Sequence, residues 1–473
     1  LVDIGVYEEA LMAPSLAFVL RGNVTPDTGD YPRPIVDPSS LSNPTGRSCL
    51  LLDSGSVVVE DMIFRNRMPM YPHSGDTTGG IYQRNGQITL RRCLFDSTYH
   101  AVTAWAADVV ATECTFRNLA GWGIRTFRSV IAADCDFQSN MVLWAQLSSG
   151  SNSRIERCQF SGSYETQMVL ICSGEDVQVR DCIFGPGVAT AGERFYWYAV
   201  NSVFENNVIE DWWVYQGIFF AHTNGAGRLV IRNNLMRNCF TPTEYQETSL
   251  YGFDLWMQQT CDSCVIEFRD NTIENCTGFH GAPGILAYGG RIEISRNRFT
   301  QIFPTAVFSQ DSQCKLRDNL LYDNGVALES DSSVMTDARW NWWGDSTGPY
   351  HWPDHQEGEG DIIEGTADFV PWYTDTSFFA NSAPDHDGAH AVRHYELYPA
   401  YPNPFNPMAT LVFELERPAA VTLEIYNLAG QRVRELVNRR YEAGTHRVEF
   451  DAEELPTGIY FAQIRAGEFV KTE

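Results

Sequence analysis

The chain has 473 residues, 44% of them hydrophobic, which is enough for one large core or for two domains. Its formal net charge of −26 argues against nucleic-acid binding, because phosphate contacts need a basic face. No apolar run approaches the roughly 18 residues of a membrane span. The acidic composition suits an extracellular protein and leaves calcium as the only cofactor to consider; we expect no other cofactor and no metal site.

A repeat organises most of the chain. Short segments such as Glu113-Cys114-Thr115-Phe116 recur, and one position within them forms a ladder. From Cys93 onward most ladder steps are 21 to 27 residues, with one step of 37 from Asn234 to Asn271. The ladder positions are Met62, Cys93, Cys114, Cys135, Cys158, Cys182, Asn207, Asn234, Asn271, Asn297, Asn319 and Asn341. A period of this length indicates a solenoid.

The phase of the repeat predicts its shape. Apolar residues fall mostly five and three positions before the ladder residue and two positions after it, as Ile266, Phe268 and Ile273 do around Asn271. Steps of two are strand periodicity, and the step of three from Phe268 to Asn271 inserts one residue that turns the chain. A third strand precedes each such pair, as at Ile285. Three short strands per stacked coil predict a parallel β-helix.

The ladder residues have a physical role at the bend. Stacked coils place like side chains about 4.8 Å apart, so asparagine amides can hydrogen-bond to neighbouring coils and to the backbone. Cysteine at the same place is a small and nearly apolar filler. A line of disulfides is the competing interpretation. We favour free thiols, because parallel Cα–Cβ bonds hold the sulfur atoms side by side.

This pattern resembles the right-handed parallel β-helix repeats of the pectate-lyase-like superfamily, in which an asparagine ladder marks one bend. The resemblance covers about residues 1–372 and implies a right-handed coil, so we assign residues 1–373 to the β-helix. The segment from Trp340 to Pro349 resembles the Asn-Trp-Trp-Gly and Gly-Pro terminus of secreted bacterial β-helix proteins. Bulky tryptophans there would cover the open end of the core.

The end of the chain predicts a second domain. Residues 374–394 have the composition of a linker, and residues 395–473 alternate with strand period, which predicts a small β-sandwich and an all-β chain. Segments 401–407, 425–431 and 456–460 resemble the type A sorting domain of type IX secretion. The resemblance implies the secretion machinery as a partner and an extracellular or outer-cell-surface location. Because the chain opens on Leu1 rather than on methionine, we expect it to be processed or incomplete.

The third strand of each coil predicts a functional face. If Ile81, Val102, Ile124, Phe195, Ile218, Phe253, Ile285 and Val307 point inward, their neighbours point outward. We expect ligand or partner contacts from Tyr82, Trp105, Arg125, Tyr196, Tyr198, Trp256 and Tyr288, with Phe127, Phe219 and Phe308 on the same side. Exposed aromatic stripes mark contact surfaces. Three interpretations remain open: long loops cover the rings, a polysaccharide stacks on them, or a protein packs against them.

Catalysis has weaker support. Among the predicted outward positions of this face, the one acid is Asp254, a weak catalytic candidate, whereas glycoside hydrolysis needs two carboxylates. A lyase would need a base such as Arg125 beside a cluster of acids, and no such cluster adjoins it in the sequence. We therefore favour a structural or adhesive protein that forms an extracellular assembly. The alternative is a protein that binds polysaccharide or degrades it by lyase or glycoside hydrolase chemistry.

Overall fold

The computed structural model divides the chain into two compact units, Leu1–Ala383 and Pro384–Glu473. The structure describes residues 6–7, 11–13, 18–21, 35–36, 48–52, 54–65, 79–98, 100–119, 121–139, 147–162, 170–189, 195–214, 218–223, 227–240, 252–257, 265–278, 281, 284–331, 334–381, 396–397, 408–415, 418–441, 444–452, 455–456, 458–467 and 469–472.

The first unit is a parallel β-helix, as predicted. Each coil contributes strands to three faces, and every registered pair between coils is parallel. Face 1 holds the third strands, face 2 the strands before the ladder residue, and face 3 the strands after it. In two coils the strands of faces 1 and 2 are continuous, in Gly79–Arg91 and His100–Thr112.

Besides the first parts of those two long strands, face 1 consists of Leu11–Ala13, Ser48–Leu52, Ile124–Thr126, Leu147–Ser149, Leu170–Glu175, Phe195–Val200, Phe219–Thr223, Phe253–Met257, Ile285–Gly289, Thr305–Gln310, Val326–Ser330 and Gly360–Gly365, with Pro349–His351 beside the last. Besides their second parts, face 2 consists of Phe18–Arg21, Ser56–Glu60, Val130–Ala133, Arg154–Glu156, Gln178–Arg180, Ser202–Glu205, Arg228–Arg232, Val265–Arg269, Arg291–Ser295, Gln313–Arg317, Thr336–Asp337 and Ala367–Asp368. Face 3 consists of Val6–Tyr7, Ile35–Val36, Ile63–Arg65, Leu94–Asp96, Thr115–Arg117, Asp136–Ser139, Gln159–Gly162, Ile183–Ala189, Val208–Glu210, Trp212–Val214, Leu235–Arg237, Thr272–Thr277, Arg298–Phe303 and Leu320–Tyr322.

The bend between faces 2 and 3 explains the step of three in the sequence. The residue before each ladder position has a positive φ, between 50° and 58°. These residues are Asp61, Arg92, Glu113, Asp134, Arg157, Asp181, Asn206, Asn233, Asp270, Arg296, Asp318 and Trp340. One left-handed residue turns the chain while both flanking strands keep their apolar side chains inward. Among residues other than glycine, asparagine and aspartate tolerate this conformation best, which explains why they fill most of these positions.

The ladder residues form one buried column. Each asparagine from Asn207 to Asn319 makes two hydrogen bonds along the column, at 2.9–3.1 Å. Its Oδ1 atom accepts from the backbone N–H of the ladder residue one coil earlier. Its Nδ2 atom donates to Oδ1 of the ladder asparagine one coil later. Asn341 completes the column and donates to two backbone carbonyls. The five cysteines are buried free thiols. The sequence Cys261-Asp-Ser-Cys264 allows a local disulfide, but these residues lie outside the part of the chain that the structure describes.

A second column stacks inside the coils, two positions after the ladder. The rings of Phe64, Phe95, Phe116, Phe137, Phe160 and Phe184 lie nearly parallel, with centroids 4.6–5.2 Å apart. These rings are almost fully buried. Their parallel stacking follows from the in-register coils, which repeat the same side-chain position every 4.7–4.9 Å.

The end of the β-helix extends into the segment predicted as a linker. Trp343 is fully buried at this end. A 3₁₀ helix, Ser377–Asn381, follows, and Phe378 and Phe379 pack on the ring of Tyr373. Aromatic contacts therefore order residues 374–381, although the Ser- and Asp-rich composition of this segment is typical of a linker. Residues 382–395 lie outside the described part of the chain.

The second unit is the predicted β-sandwich. One antiparallel sheet contains Glu396–Leu397, Met408–Leu415 and Gly444–Asp451. The other contains Arg432–Tyr441, Ala419–Asn427, Tyr460–Ala466 and Phe469–Thr472. Alternate residues of both sheets, among them Phe413, Leu423 and Ile464, form its own core.

Candidate functional site

The predicted contact residues fall into two rows on face 1. Register between coils places row A at Tyr82, Thr103, Arg125, Ser148, Ile171, Tyr196, Phe220, Asp254, Leu286, Phe308, Glu329 and Glu364. Row B lies two residues further along each strand and includes Trp105, Phe127, Tyr198, Trp256, Tyr288 and Gln310. Because side chains alternate along a strand, positions two apart share a face. Residues far apart in the chain are thus aligned along one side of the solenoid.

A cationic group lies among aromatic rings towards the N-terminal end of this face. The guanidinium carbon of Arg125 is 4.8 Å from the ring centroid of Trp122, 5.6 Å from Phe127 and 5.9 Å from Trp105. The rings of Trp105 and Phe127 stack at 5.1 Å and remain 40% and 58% exposed. We call Arg125, Trp105, Trp122 and Phe127 the arginine cluster. Cation–π contacts hold Arg125 in place while two rings stay open to solvent.

A buried histidine supports the arginine cluster from behind. The backbone N–H of Trp122 donates to Nδ1 of His100 at 3.0 Å. Burial, with the nearby Arg125 charge adding to it, lowers the pKa of His100 to about 3. His100 is therefore neutral at ordinary pH, and its Nδ1 is available as the acceptor that fixes Trp122.

Further aromatic residues continue row B. Tyr198 is 41% exposed, and Trp256 and Tyr288 on neighbouring coils stack with centroids 6.3 Å apart and an angle of 8° between their planes. Tyr196 lies in strand Phe195–Val200, but its side chain is outside the described set. We call Trp105, Phe127, Tyr198, Trp256 and Tyr288 the aromatic stripe.

Two expected outward positions are not open. Phe219 pairs in register with the inward Phe195 and Phe253 and is fully buried, so the prediction that it points outward was wrong. The cause is a one-residue error in placing Ile218 on the inward row, and such a shift exchanges the two sides of a strand. Tyr82 occupies row A but is only 8% exposed, so it does not belong to the open surface.

Acidic side chains lie towards the other end of row A. Asp254 is half-buried there. Row A holds Glu329 three coils after Asp254 and Glu364 four coils after it. These two glutamates lie directly opposite each other on adjacent parallel strands. Burial raises the pKa of Glu329, and the charge of Glu364 adds to that rise, while Thr305 donates a hydrogen bond of 3.3 Å to its carboxylate. Sequence reasoning missed both glutamates, although continuing the alternation beyond Val307 and Phe308 would have found Glu329.

The residues near the end of the β-helix do not assemble a metal site. His351 Nε2 lies 2.9 Å from the carbonyl of Gly365, and His355 Nε2 lies 2.8 Å from that of Thr347. Both imidazoles thus anchor local backbone. Within the described part of the chain, no three His, Cys, Asp or Glu residues are grouped as metal ligands. The calcium expectation stays a prediction.

Comparisons with known proteins agree with this architecture. The family model of the right-handed β-helix region matches residues 79–266 and 189–321, and that of the secretion system C-terminal sorting domain matches residues 399–473. No curated protein matches the chain. Solved structures similar to it include mutants of the tailspike protein of E. coli bacteriophage HK620. One, in complex with a pentasaccharide, shows 13% identity over 89% of this chain and 80% of that one, with a TM-score of 0.30. A double mutant shows 13% identity over 90% and 81%, with a TM-score of 0.34. At these values neither carries an inference about this chain.

The chain belongs to the right-handed β-helix family. Its C-terminal domain is a type IX secretion sorting domain, so the protein is exported and is either attached to the outer cell surface or released. The predicted family, handedness, link to the secretion machinery and location are thereby confirmed. Among the described residues, no helix has the length and apolarity needed to cross a membrane.

Proposed function

We propose that this secreted β-helix protein is an adhesive, carbohydrate-binding protein whose aromatic stripe contacts a glycan laid along face 1. The observation that supports this most is the alignment of exposed or half-exposed aromatic rings in row B. Trp105 and Phe127 lie on adjacent coils, as do Trp256 and Tyr288, and Tyr198 lies on a coil between these two pairs. Exposed apolar side chains gathered on one face of a soluble protein mark a contact surface. Aromatic rings present flat apolar surfaces to the C–H faces of sugars, while their polar neighbours can meet the hydroxyl groups.

The composition around the stripe favours a glycan over a second protein chain. Protein interfaces have a contiguous apolar core that excludes charge. Here charged side chains such as Arg125 and Asp254 interrupt row A, although other row A positions such as Ile171 and Phe308 are apolar. A surface on which charged and apolar side chains alternate in this way fits an extended, amphipathic ligand better than the contiguous apolar core of a protein interface. Self-assembly through this stripe is the competing proposal.

Glycoside hydrolysis is the second candidate function. Glu329 and Glu364 are registered neighbours on the same face, and a raised pKa is what a general acid needs. Phe308 precedes them in row A, two coils after Trp256. If the protein hydrolyses a glycan that it binds, new reducing ends should appear during incubation. Glu329→Gln should then stop their formation while the affinity for the glycan is retained. Binding without any product would reject hydrolysis and leave the adhesive function in place.

The first test is a screen of the 473-residue chain against arrayed plant, algal and bacterial polysaccharides. A stripe variant carrying Trp105→Ala, Tyr198→Ala and Trp256→Ala is compared with the matched control Trp352→Ala, an exposed tryptophan at 67% accessibility outside the stripe. We expect wild type and control to bind the same glycans and the stripe variant to lose at least about tenfold in affinity, or 1.4 kcal/mol. Equal binding by the stripe variant would refute the proposal.

Light scattering separates the glycan proposal from self-assembly. A single chain has a mass of 53.3 kDa. We expect particles of that mass for both wild type and stripe variant when no glycan is present. Large particles that the stripe variant cannot form would favour the assembly proposal instead.

A further inference from the structure

One edge of the sorting domain is positively charged, although the chain as a whole is strongly acidic. Strand Arg432–Tyr441 lies at the end of the four-stranded sheet, and no strand among the described residues pairs with its outer side. Its four arginines and one glutamate give this strand a net charge of +3, whereas the chain carries −26. The backbone N–H and C=O groups along an outer edge can pair with a further strand. This edge can therefore accept an incoming strand, and its charge favours an acidic one.

Two β-bulges limit the part of the edge that can pair regularly. Val433 and Leu436 are skipped in the register with the neighbouring strand, so each is an extra residue on the edge strand. Bulges disrupt the regular spacing of the hydrogen-bonding groups. From Val437 to Tyr441, in contrast, every residue has an opposite partner in residues 419–423. Residues 437–441, which we call the edge segment, are therefore the part of the strand that suits an added strand.

An open groove of about 270 Å³ adjoins the edge segment. Its apolar lining consists of Leu436, Val437 and Val448, which come from strands of both sheets. Leu436 and Val448 also pack against the core of the domain. When a strand is added to a sheet, backbone hydrogen bonds provide affinity and pockets for alternate side chains provide specificity. The groove can bury the apolar side chains on one side of such a strand.

Two consecutive arginines place a positive charge on each side of the edge segment. Arg439 lies opposite the buried Val421 and lines the groove, whereas Arg440 lies opposite the exposed Ala420 on the outer side of the sheet. Both arginines are exposed. The guanidinium carbon of Arg439 is 4.6 Å from the ring centroid of Tyr441, and its Nη2 donates to the Tyr441 hydroxyl at 3.0 Å. These contacts hold Arg439 at the groove.

We propose that the edge segment and its groove bind an extended strand of the secretion machinery that carries two consecutive acidic side chains. Successive side chains of a strand point to opposite sides, so one carboxylate faces Arg439 and the other faces Arg440. Opposite charges on paired strands attract, and arginine–carboxylate hydrogen bonds are among the stronger ones. The interaction is independent of the glycan site proposed for the β-helix.

The same arginines argue against a second copy of this chain as the occupant. Antiparallel pairing of two edge segments would bring Arg439 and Arg440 of each copy close to those of the other, and like charges on paired strands oppose association. The sorting domain links the chain to the secretion machinery, so that machinery has to contact this domain. An acidic strand of the machinery therefore fits both the charge of the edge and the role of the domain.

The first experiment measures fluorescence polarization of labelled decapeptides with the 473-residue chain. The peptides alternate threonine and valine and carry at their centre Glu-Glu, Gln-Gln, Lys-Lys, or Glu-Glu between two prolines, which block strand pairing. Wild type is compared with Arg439→Gln/Arg440→Gln and with the charge reversal Arg439→Glu/Arg440→Glu. The control is Arg465→Glu, which changes an exposed arginine two strands away in the same sheet. Thermal unfolding verifies that each variant is folded.

We expect wild type and Arg465→Glu to bind the Glu-Glu peptide at least about tenfold more tightly than the Gln-Gln peptide, and not to bind the proline peptide. The glutamine variant should lose this preference, and the charge-reversal variant should prefer the Lys-Lys peptide. Equal affinity of wild type for the Glu-Glu and Gln-Gln peptides would overturn the inference. Binding of the proline peptide, an unchanged preference in the charge-reversal variant, or no binding of any peptide would overturn it as well.

Export tests whether the secretion machinery is the partner. The chain is produced behind a signal peptide in a bacterium with a type IX system, and the amounts in the periplasm and outside the cell are compared. We expect wild type and Arg465→Glu to be exported, and export of Arg439→Glu/Arg440→Glu to fall at least about tenfold. Normal export of the charge-reversal variant would overturn the assignment of the edge segment to the secretion machinery. The glycan screen with the stripe variant is a separate measurement, so either proposal can fail without the other.

Discussion

The backbone N–H of Cys182 donates a hydrogen bond of 2.9 Å to Oδ1 of Asn207, and this contact joins the thiol part of the ladder to its amide part. On the amide side, Asn207 Nδ2 donates to the carbonyl of Val179 and to Oδ1 of Asn234, both at 3.1 Å. On the thiol side, the Sγ atom of Cys182 makes weak contacts with the carbonyl oxygens of Arg180, at 3.1 Å, and of Ile155, at 3.6 Å. The two residue types therefore occupy one column but stabilise it differently.

Asn207→Ala should be far more costly than Cys182→Ala. The asparagine variant leaves the buried N–H of Cys182 and the carbonyl of Val179 without that side-chain partner, and each such group costs about 1–3 kcal/mol. We expect a loss of about 2–5 kcal/mol in the free energy of unfolding of the β-helix, against about 1 kcal/mol for Cys182→Ala. Urea denaturation followed by circular dichroism measures both. Equal losses of unfolding free energy would mean that the side-chain hydrogen bonds of Asn207 contribute nothing beyond the volume that the side chain fills.

The ladder thiols should not react with alkylating reagents in the folded protein. Burial raises the pKa of Cys93 and of Cys158, so little thiolate is present at neutral pH and no reagent can reach it. We expect iodoacetamide to leave the ladder cysteines unmodified in native protein and to alkylate all of them after denaturation without reductant. Peptide mass spectrometry reads the result. Native labelling of Cys93, or a peptide crosslinked through two ladder cysteines, would contradict the free-thiol column.

His100 should make stability depend on pH. Its pKa is about 3 when folded and near the ordinary 6.5 when unfolded, so below pH 6.5 the unfolded chain binds a proton that the folded chain does not. Stability is therefore fully present above pH 6.5 and falls with acidification towards pH 3, by up to about 1.4 kcal/mol per pH unit. Between pH 7 and pH 5, wild type should lose about 2 kcal/mol more than His100→Asn, which keeps an acceptor but cannot protonate. Parallel pH profiles for the two proteins would rule out this assignment.

The left-handed bend offers a stabilising substitution. Glu113 has a φ of 54° and an exposed side chain, so it carries the strain of this conformation without a buried role. Asparagine tolerates it better, and Glu113→Asn should stabilise the β-helix by about 0.5–1 kcal/mol. Glu113→Gln is the matched control, because it removes the same charge without the conformational preference. A gain in the melting temperature for both variants would assign the effect to charge rather than to φ.

The period of the sequence was sufficient to predict the coils, because one physical constraint repeats at every bend. A ladder residue, a left-handed residue before it and apolar residues at fixed offsets recur from Met62 to Asn341. The segments around Leu147 and Leu170 were missed as third strands, since neither carries the Gly- or Ala-led pattern of the others. The sorting domain was recognisable because three of its segments, 401–407, 425–431 and 456–460, resemble the sequence motifs of that domain family.

The functional face was only partly predictable, because it depends on register between coils. The sequence indicates which residues alternate within a strand, but a single misplaced residue put Phe219 on the wrong side. Glu364 is the row A neighbour of Glu329 but lies 35 residues later in the chain, so no local sequence pattern predicts that the two are paired. Trp122 enters the arginine cluster from outside the strand, and its contact with His100 could be found only in three dimensions.

The most direct test of the account is saturation-transfer NMR on a glycan identified by the array screen, with wild type, the triple stripe variant and Trp352→Ala. We predict strong saturation of the C–H protons on the sugar faces for wild type and for Trp352→Ala, and its loss in the stripe variant with the fold intact. Equal saturation in all three proteins would show that the glycan lies elsewhere, and would contradict the claim that the aromatic stripe of face 1 is the binding surface.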